Sequence, residues 1–258
     1  MLNYRKINAI FLILLVLLIV LSCFTAVKWW YFLILFGIRF VILVIGSSFI
    51  QLNFHVKTYC ENPTEDGKKI ALTFDDGPHE ITPQILALLK QYNAKATFFC
   101  IGKNVETHPE ILKQTFEEGH IIGNHSYSHS HFFDFYGKEK VKMELQQTDT
   151  IIKGIIGQQP SFFRPPYGVT NPNIRRALET TNHKVIGWNI RSMDGVSKDE
   201  KSIYNRIIKQ ITPGSIILLH DTSAITVRVL EQLLLFLRSK NYEIVGIDEL
   251  LNLKPYEN

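Results

Sequence analysis

Asp75 and Asp76 close the apolar run Ile70-Ala71-Leu72-Thr73-Phe74 and are followed at once by Gly77-Pro78. Fifty residues after Asp75 comes His125, and four after that His129. Side chains alternate along an extended chain, so two adjacent carboxylates at a strand end point different ways; one is free to hold a cation and the other to act as a base. Two imidazoles at a four-residue offset fall on one side of a helical turn, close enough to share an ion. Two histidines and one carboxylate are a typical catalytic zinc set with a coordination place left for water, which is the chemistry of hydrolysis. Taken singly, Asp-Asp-Gly-Pro is a polar turn and a spaced histidine pair is weak evidence. Their company raises both, because Phe163-Arg164-Pro165-Pro166-Tyr167-Gly168 and Leu218-Leu219-His220-Asp221 also place reactive side chains just after apolar runs. His220 reads as an acid–base group rather than a satisfied buried imidazole. His120 and His131 read as surface or supporting groups.

Strand-like runs near 69–74, 96–101, 120–124, 161–164, 184–189, 215–219 and 243–246 must position these residues. Between most of them lie segments of helical period. One puts Val141, Leu145, Thr148, Ile152 and Ile155 on a single face, and another stacks Leu230, Leu233, Leu234 and Leu237. Seven strands alternating with helices predict a parallel β/α architecture, either a barrel or an open doubly wound sheet, with its chemistry at the carboxyl ends of the strands. No Gly-x-Gly-x-x-Gly follows the first run, which disfavours a dinucleotide site.

The N-terminal part is of a different kind. Residues 1–54 contain no Asp or Glu, and 7–27 and 29–50 are each apolar over the length a helix needs to cross a bilayer. Four of the 28 Lys and Arg (Arg5, Lys6, Lys28 and Arg39) lie here, which leaves the remainder with 24 bases against 24 acids. The formal charge of +4 therefore comes from the membrane end, and no basic stripe with interleaved aromatics points to nucleic acid. Cys23, Cys60 and Cys100 form neither a disulfide framework nor a zinc knuckle by spacing. The organisation read from this is a membrane anchor over 1–56 with one or two spans, a turn-rich linker over 57–67, and a catalytic domain over 68–258.

The chain resembles the polysaccharide deacetylase family, the NodB-like homology domain, over about residues 68–250. Thr73-Phe74-Asp75-Asp76-Gly77-Pro78, His125-x-x-x-His129, Arg164-Pro165-Pro166-Tyr167 and Leu218-Leu219-His220 carry the resemblance, in family order. It implies a distorted barrel of seven parallel strands and the removal of N-acetyl groups from amino sugars of a polysaccharide such as peptidoglycan or a chitin-like polymer. By the same resemblance, Asp76, His125 and His129 bind a divalent metal, usually zinc, with cobalt or nickel as alternatives. Asp75 is the general base, Arg164 keeps it ionised, Tyr167 offers a backbone amide to the oxyanion, His220 is the general acid, and Leu218 helps receive the acetyl methyl group. Trp188 and Tyr167 offer flat faces to a sugar ring, with core packing an equal reading of Trp188. One departure stands out. Where the family has an acid that orients the catalytic histidine, this chain has Arg191, so either Asp194 takes that role or His220 is less strongly tuned.

The expected partners are thus an acetylated polysaccharide and a membrane, and the chain is expected to be a monomer. Two spans would put the domain on the side of the N-terminus, and Arg5, Lys6, Lys57, Lys68 and Lys69 would favour the cytoplasm. The substrate lies outside. Arg39 in the second stretch suggests a segment lying partly in the interface, which gives one true span and an extracytoplasmic domain. Two other readings are an inactive carbohydrate-binding homologue and an O-acetyl glycan esterase.

Overall fold

The computed structural model describes residues 3–257. In chain order the elements are α1 (Tyr4–Phe24), α2 (Trp30–Ser48), β1 (Thr58–Tyr59), β2 (Lys69–Asp75), α3 (Thr82–Gln91), β3 (Ala96–Cys100), α4 (Gly102–Thr107), α5 (Pro109–Glu117) and β4 (Ile121–Asn124). There follow α6 (Lys138–Ile156), β5 (Phe162–Phe163), α7 (Pro172–Thr181), β6 (Lys184–Ile186), β7 (Ile190–Arg191), α8 (Glu200–Ile208), β8 (Ile216–His220), α9 (Ala224–Ser239), β9 (Glu243–Ile244) and α10 (Ile247–Leu251). All strand pairs are parallel, in the order β1-β6-β5-β4-β3-β2-β8-β7, with β9 added to the start of β2. The sheet curls into a partial barrel wrapped by helices, left open between β1 and β7.

Seven of the strands lie where the apolar runs place them. The two additional strands, β1 and β7, have two residues each, too few for an alternation to show in the sequence. Along β2, Ile70, Leu72 and Phe74 face one core, where Leu230, Leu233, Leu234 and Leu237 of α9 also pack. Along β8, Ile217 and Leu219 do the same. The alternate residues Ala71, Ile216 and Leu218 belong to a second core with Phe99, Phe162, Phe163 and Trp188. The two-residue period therefore sends Thr73, Asp75 and His220 to the barrel interior.

The head forms a helical hairpin. Phe11 of α1 meets Phe36 of α2 edge to face, with ring centroids 5.1 Å apart. The Arg39 guanidinium donates to Asn8 Oδ1 at 3.1 Å and lies 4.7 Å from the Phe11 ring. Asn8 and the Phe11 ring thus meet part of the guanidinium, while Arg39 Nε is buried and, among the described residues, has no partner. The open end of the hairpin is tied twice: Tyr4 N donates to Phe54 O, just past α2, at 2.9 Å, and Thr170 N of the domain donates to Ser47 O at 3.0 Å. The stretch read as a linker carries the edge strand β1, and Asn62 is fastened to Gly214 O and Leu250 O.

Candidate active site

Parallel register pairs Asp75 with His220 at the carboxyl ends of β2 and β8. Asp75 ends its strand, but Asp76 does not continue it. Its φ of 75° turns the chain, so alternation stops there and both carboxylates face one cleft, contrary to the sequence expectation that they diverge. His125 Nε2 lies 3.5 Å from Asp76 Oδ1 and 3.9 Å from Asp75 Oδ2.

The histidine pair departs from expectation as well, because 125–130 is an irregular loop rather than a helical turn. Its amides are taken by side chains before a helix can use them. Glu144 accepts from Tyr127 N at 3.0 Å, Ser128 N at 2.7 Å and Ser128 Oγ at 2.9 Å; Asn124 Oδ1 accepts from Ser126 N at 2.8 Å. The loop bends through left-handed conformations at Ser126 and His129 and so brings the two rings together, with centroids 4.8 Å apart. Ten described non-glycine residues have positive φ, and five are asparagines, which tolerate it. The other five are Asp76, Ser126, His129, Tyr167 and Met193, all in loops at the cleft. Such conformations cost on the order of 1–3 kcal/mol each and persist where the surroundings fix them.

Arg164 is fully buried, and four of its five N–H donors are taken. Its Nη1 donates to Asp75 Oδ1 at 2.7 Å and Thr73 Oγ1 at 2.8 Å, Nη2 to Gly187 O at 2.8 Å, and Nε to Ile186 O at 3.1 Å. The Phe99 ring lies 4.1 Å from the guanidinium. One Asp75 oxygen is thus committed to a permanent cation.

The Asp76 Oδ1 atom is buried and, among the described residues, has no hydrogen-bond partner. His129 Nε2 approaches it at 3.5 Å, as His125 does, and one ligand atom from each of the three residues falls within 4.8 Å of the others. Ligand atoms about 2 Å from a tetrahedral centre lie roughly 3.4 Å apart, so the set fits a small divalent cation. His125 Nδ1 is 2.7 Å from Arg164 O, a contact that puts its proton there and leaves Nε2 as the free lone pair. Burial and the neighbouring His125 lower the His129 pKa to about 4, which keeps that ring neutral and able to ligate. Burial opposes charge on Asp76, yet its His125 contact, with His129 and His220 nearby, holds the carboxyl well below the ordinary range.

On the other side of the cleft, His220 Nδ1 is 2.7 Å from Asp194 Oδ1. Asp194 is itself held by Ser192 Oγ at 2.7 Å, Thr226 Oγ1 at 2.7 Å and the His220 amide at 2.8 Å. Burial disfavours the imidazolium, but the hydrogen bond and charge of Asp194, with Asp75 and Asp76 behind, push the His220 pKa up to about 9. Arg191 is exposed, with its guanidinium 6.0 Å from the Trp188 ring.

The cleft has a volume of about 260 Å³ and collects Asp75, Asp76, His125, His129, Tyr167, Trp188, Leu218 and His220. Larger hollows lie elsewhere and gather no comparable set of titratable groups. Leu218 is buried in the wall of the cleft. Trp188 is only 6 % exposed, its ring packed on Gly168 and near Arg164, so it offers an edge of wall rather than an open face. Gly168, at φ 72°, lies so close to that ring that any side chain would collide. Tyr167 is 40 % exposed and its hydroxyl is 2.9 Å from Nδ1 of the exposed His131. His120 is buried away from the cleft: its Nδ1 accepts from Ala96 N at 3.2 Å and its ring packs against Phe98, so it supports β3 rather than sitting at the surface. The sequence reading missed Glu144, Ser192 and Thr226. Only Glu144 left a signal, as a carboxylate on the core-facing stripe of α6.

Residues 62–186 match the profile of a family described as polysaccharide deacetylase. A peptidoglycan-N-acetylglucosamine deacetylase of Bacillus cereus is 41% identical over 157 residues, 60% of this chain and 56% of that protein. A second one from the same organism is 35% identical over 193 residues, 72% of this chain and 90% of its own length. Of the first-named relative, the chain therefore spans little more than half. Among solved structures, that of the Bc1960 peptidoglycan N-acetylglucosamine deacetylase bound to a naphthalenyl N-oxidanyl-benzamide superposes with a TM-score of 0.73 at 33% identity. It covers 78% of this chain and 95% of that one. The chain belongs to the polysaccharide deacetylase family, and its curled parallel sheet is the (β/α)7 fold of these relatives.

Proposed function

We propose that the chain is a metal-dependent N-deacetylase that hydrolyses the acetamido group of amino sugars in peptidoglycan or a related polymer and releases acetate. One observation carries the reading: a carboxylate fixed by Arg164 and an imidazole fixed by Asp194 flank one cleft that also holds Asp76, His125 and His129. Hydrolysis of an amide needs a base for water, charge stabilisation for the tetrahedral oxyanion, and a proton for the departing nitrogen. The named relatives, peptidoglycan deacetylases by description, support the substrate class.

Asp75 is the base, with Arg164 holding one oxygen so that the other is free to take the water proton. A divalent cation, zinc by the chemistry of its donors, would be held by Asp76, His125 and His129 and would supply Lewis acidity and a lowered water pKa, from about 15.7 toward 7. The Tyr167 amide donates to the oxyanion, a contribution of about 3–4 kcal/mol for one well-placed donor in other enzymes. His220 carries the proton for the leaving amine on Nε2, since Nδ1 faces Asp194. Leu218 and the edge of Trp188 receive the acetyl methyl group. The helical hairpin anchors the domain in the cell membrane, with the domain on the outer face where such glycans lie; α1 and α2 are each long and apolar enough to cross it.

Acetate release from acetylated N-acetylglucosamine oligomers, with Asp75→Asn as the paired variant, tests the assignment. Release abolished by that variant is the expected result. Binding of the oligomers without any release would make the chain an inactive sugar-binding homologue, and release from acetylated xylan alone would make it an esterase.

A further inference from the structure

Directly after the histidine loop runs Phe132-Phe133-Asp134-Phe135-Tyr136, an aromatic stretch that the catalytic reading does not use. Phe133 is fully buried and pins the segment, while Phe132 and Phe135 on either side are 69 % and 83 % exposed. Folding does not account for two exposed phenylalanines three residues apart, in a segment whose first neighbour, His131, meets the cleft residue Tyr167. Around them Lys140 lies 3.6 Å from the Tyr136 ring, Met143, one turn on along α6, is exposed as well, and the acidic Glu139 is paired with Lys138 at 3.7 Å. Exposed aromatics mixed with lysines are the composition of a surface that meets lipid headgroups.

The hydrogen bonds say where this patch sits. Asn171 Nδ2 donates to Asp134 O at 2.7 Å and Asn173 Nδ2 to Tyr136 O at 3.2 Å, so the aromatic segment is strapped to the start of α7. The residue before that strap, Thr170, donates its amide to Ser47 O in the last turn of α2. The patch is thus one short hydrogen-bonded step from the point where the apolar hairpin leaves the domain. On its other side, His131 meets the Tyr167 hydroxyl at the cleft.

We infer that Phe132 and Phe135 rest in the headgroup layer of the same bilayer that the hairpin enters, so that the cleft mouth is held at the membrane surface. This rests on the reading of α1 and α2 as a membrane hairpin. The site then favours acetylated glycan carried on a lipid, or still close to the membrane, over free polymer.

The test uses the full chain in vesicles of phosphatidylethanolamine and phosphatidylglycerol, in a Cys23→Ser background, with an environment-sensitive fluorophore on Phe135→Cys or, as control, on Leu235→Cys. Leu235 is exposed on α9, which packs on the other core. Emission at 135 shifted to shorter wavelength than at 235 is expected. Equal emission from both positions in a chain that floats with the vesicles overturns the inference alone. A chain that does not float with them overturns the hairpin reading and the inference together, while acetate release from soluble oligomers still reports on the deacetylase reading. With substrate, Phe132→Ser with Phe135→Ser is expected to lower kcat/KM several-fold on a lipid-coupled acetylated oligomer and leave the free oligomer unchanged. Equal effects on the two substrates contradict it.

Discussion

At the scale of single residues, the site is built from two tethered pairs, and each tether has a measurable consequence. Arg164 has no exposure and neutralises a buried carboxylate, so Arg164→Met leaves Asp75 with an uncompensated charge. Removing one partner of such a pair costs about 3–5 kcal/mol. Chemical denaturation is expected to register that loss, and Asp75→Asn added to the same background is expected to recover part of it. Asp194 acts on protonation. A general acid works only below its own pKa, and Asp194 raises that of His220, so Asp194→Asn is expected to move the alkaline limb of the rate profile to lower pH. A cation held by Asp76 would offset that carboxylate's pull on His220, leaving Asp194, in direct hydrogen bond, as the main group that favours the imidazolium, with Asp75 behind it. An alkaline limb unmoved by the variant would separate Asp194 from the chemistry. Asp75, Arg164 and His220 were legible because each stands just past an apolar run, where parallel strands deliver side chains to a common end; Asp194 was reached only through the family resemblance, as one alternative for the acid missing at Arg191. Ser192 and Thr226 were not, since a hydroxyl that bonds one carboxylate has no spacing to betray it.

At the scale of elements, sequence and structure part where the chain leaves regular geometry. Period two along β2 and β8 gave the strands, and it also places Asp75 beside His220. It failed one residue later: Asp-Asp-Gly-Pro marks a turn, but residue type does not say that the chain leaves extended geometry already at Asp76. The four-residue histidine spacing suggested a helix for a similar reason: offsets encode proximity only if the backbone between is regular. Here Glu144, on the neighbouring helix α6, decides the matter by accepting both the Tyr127 and Ser128 amides. Glu144→Gln keeps the shape but loses the charge and an acceptor, and supporting contacts of this kind are worth about 10–100-fold in metal affinity. Zinc titration of the chelator-treated protein by calorimetry is expected to show a weakening in that range. Unchanged affinity would mean that the loop holds itself.

At the scale of the molecule, the hairpin was legible as two apolar stretches, but its docking was not. The bonds from Thr170 N to Ser47 O and from the Gln51 side chain to Trp188 O join residues more than a hundred positions apart, each ending on a backbone carbonyl that no side-chain pattern reveals. The last turn of α2 bonds to the domain and the start of α1 to Phe54 just past α2, so in the proposed membrane hairpin the N-terminus and the domain share a side; the charges of Arg5, Lys6, Lys57, Lys68 and Lys69 oppose an outer placement of that side, and the glycan substrate favours it. A reporter fused after residue 258 is expected to be active only outside the cytoplasm; activity confined to the cytoplasm would reverse the orientation. The central claim is that one cation held by Asp76, His125 and His129 turns this cleft into an amide hydrolase. Acetate release from acetylated N-acetylglucosamine oligomers, followed as zinc is titrated into chelator-treated protein, tests it most directly. Release that climbs to a plateau at one equivalent, and that Asp76→Ala abolishes, is expected. Full release from the metal-free protein, or an Asp76→Ala variant as active as the parent, would contradict it.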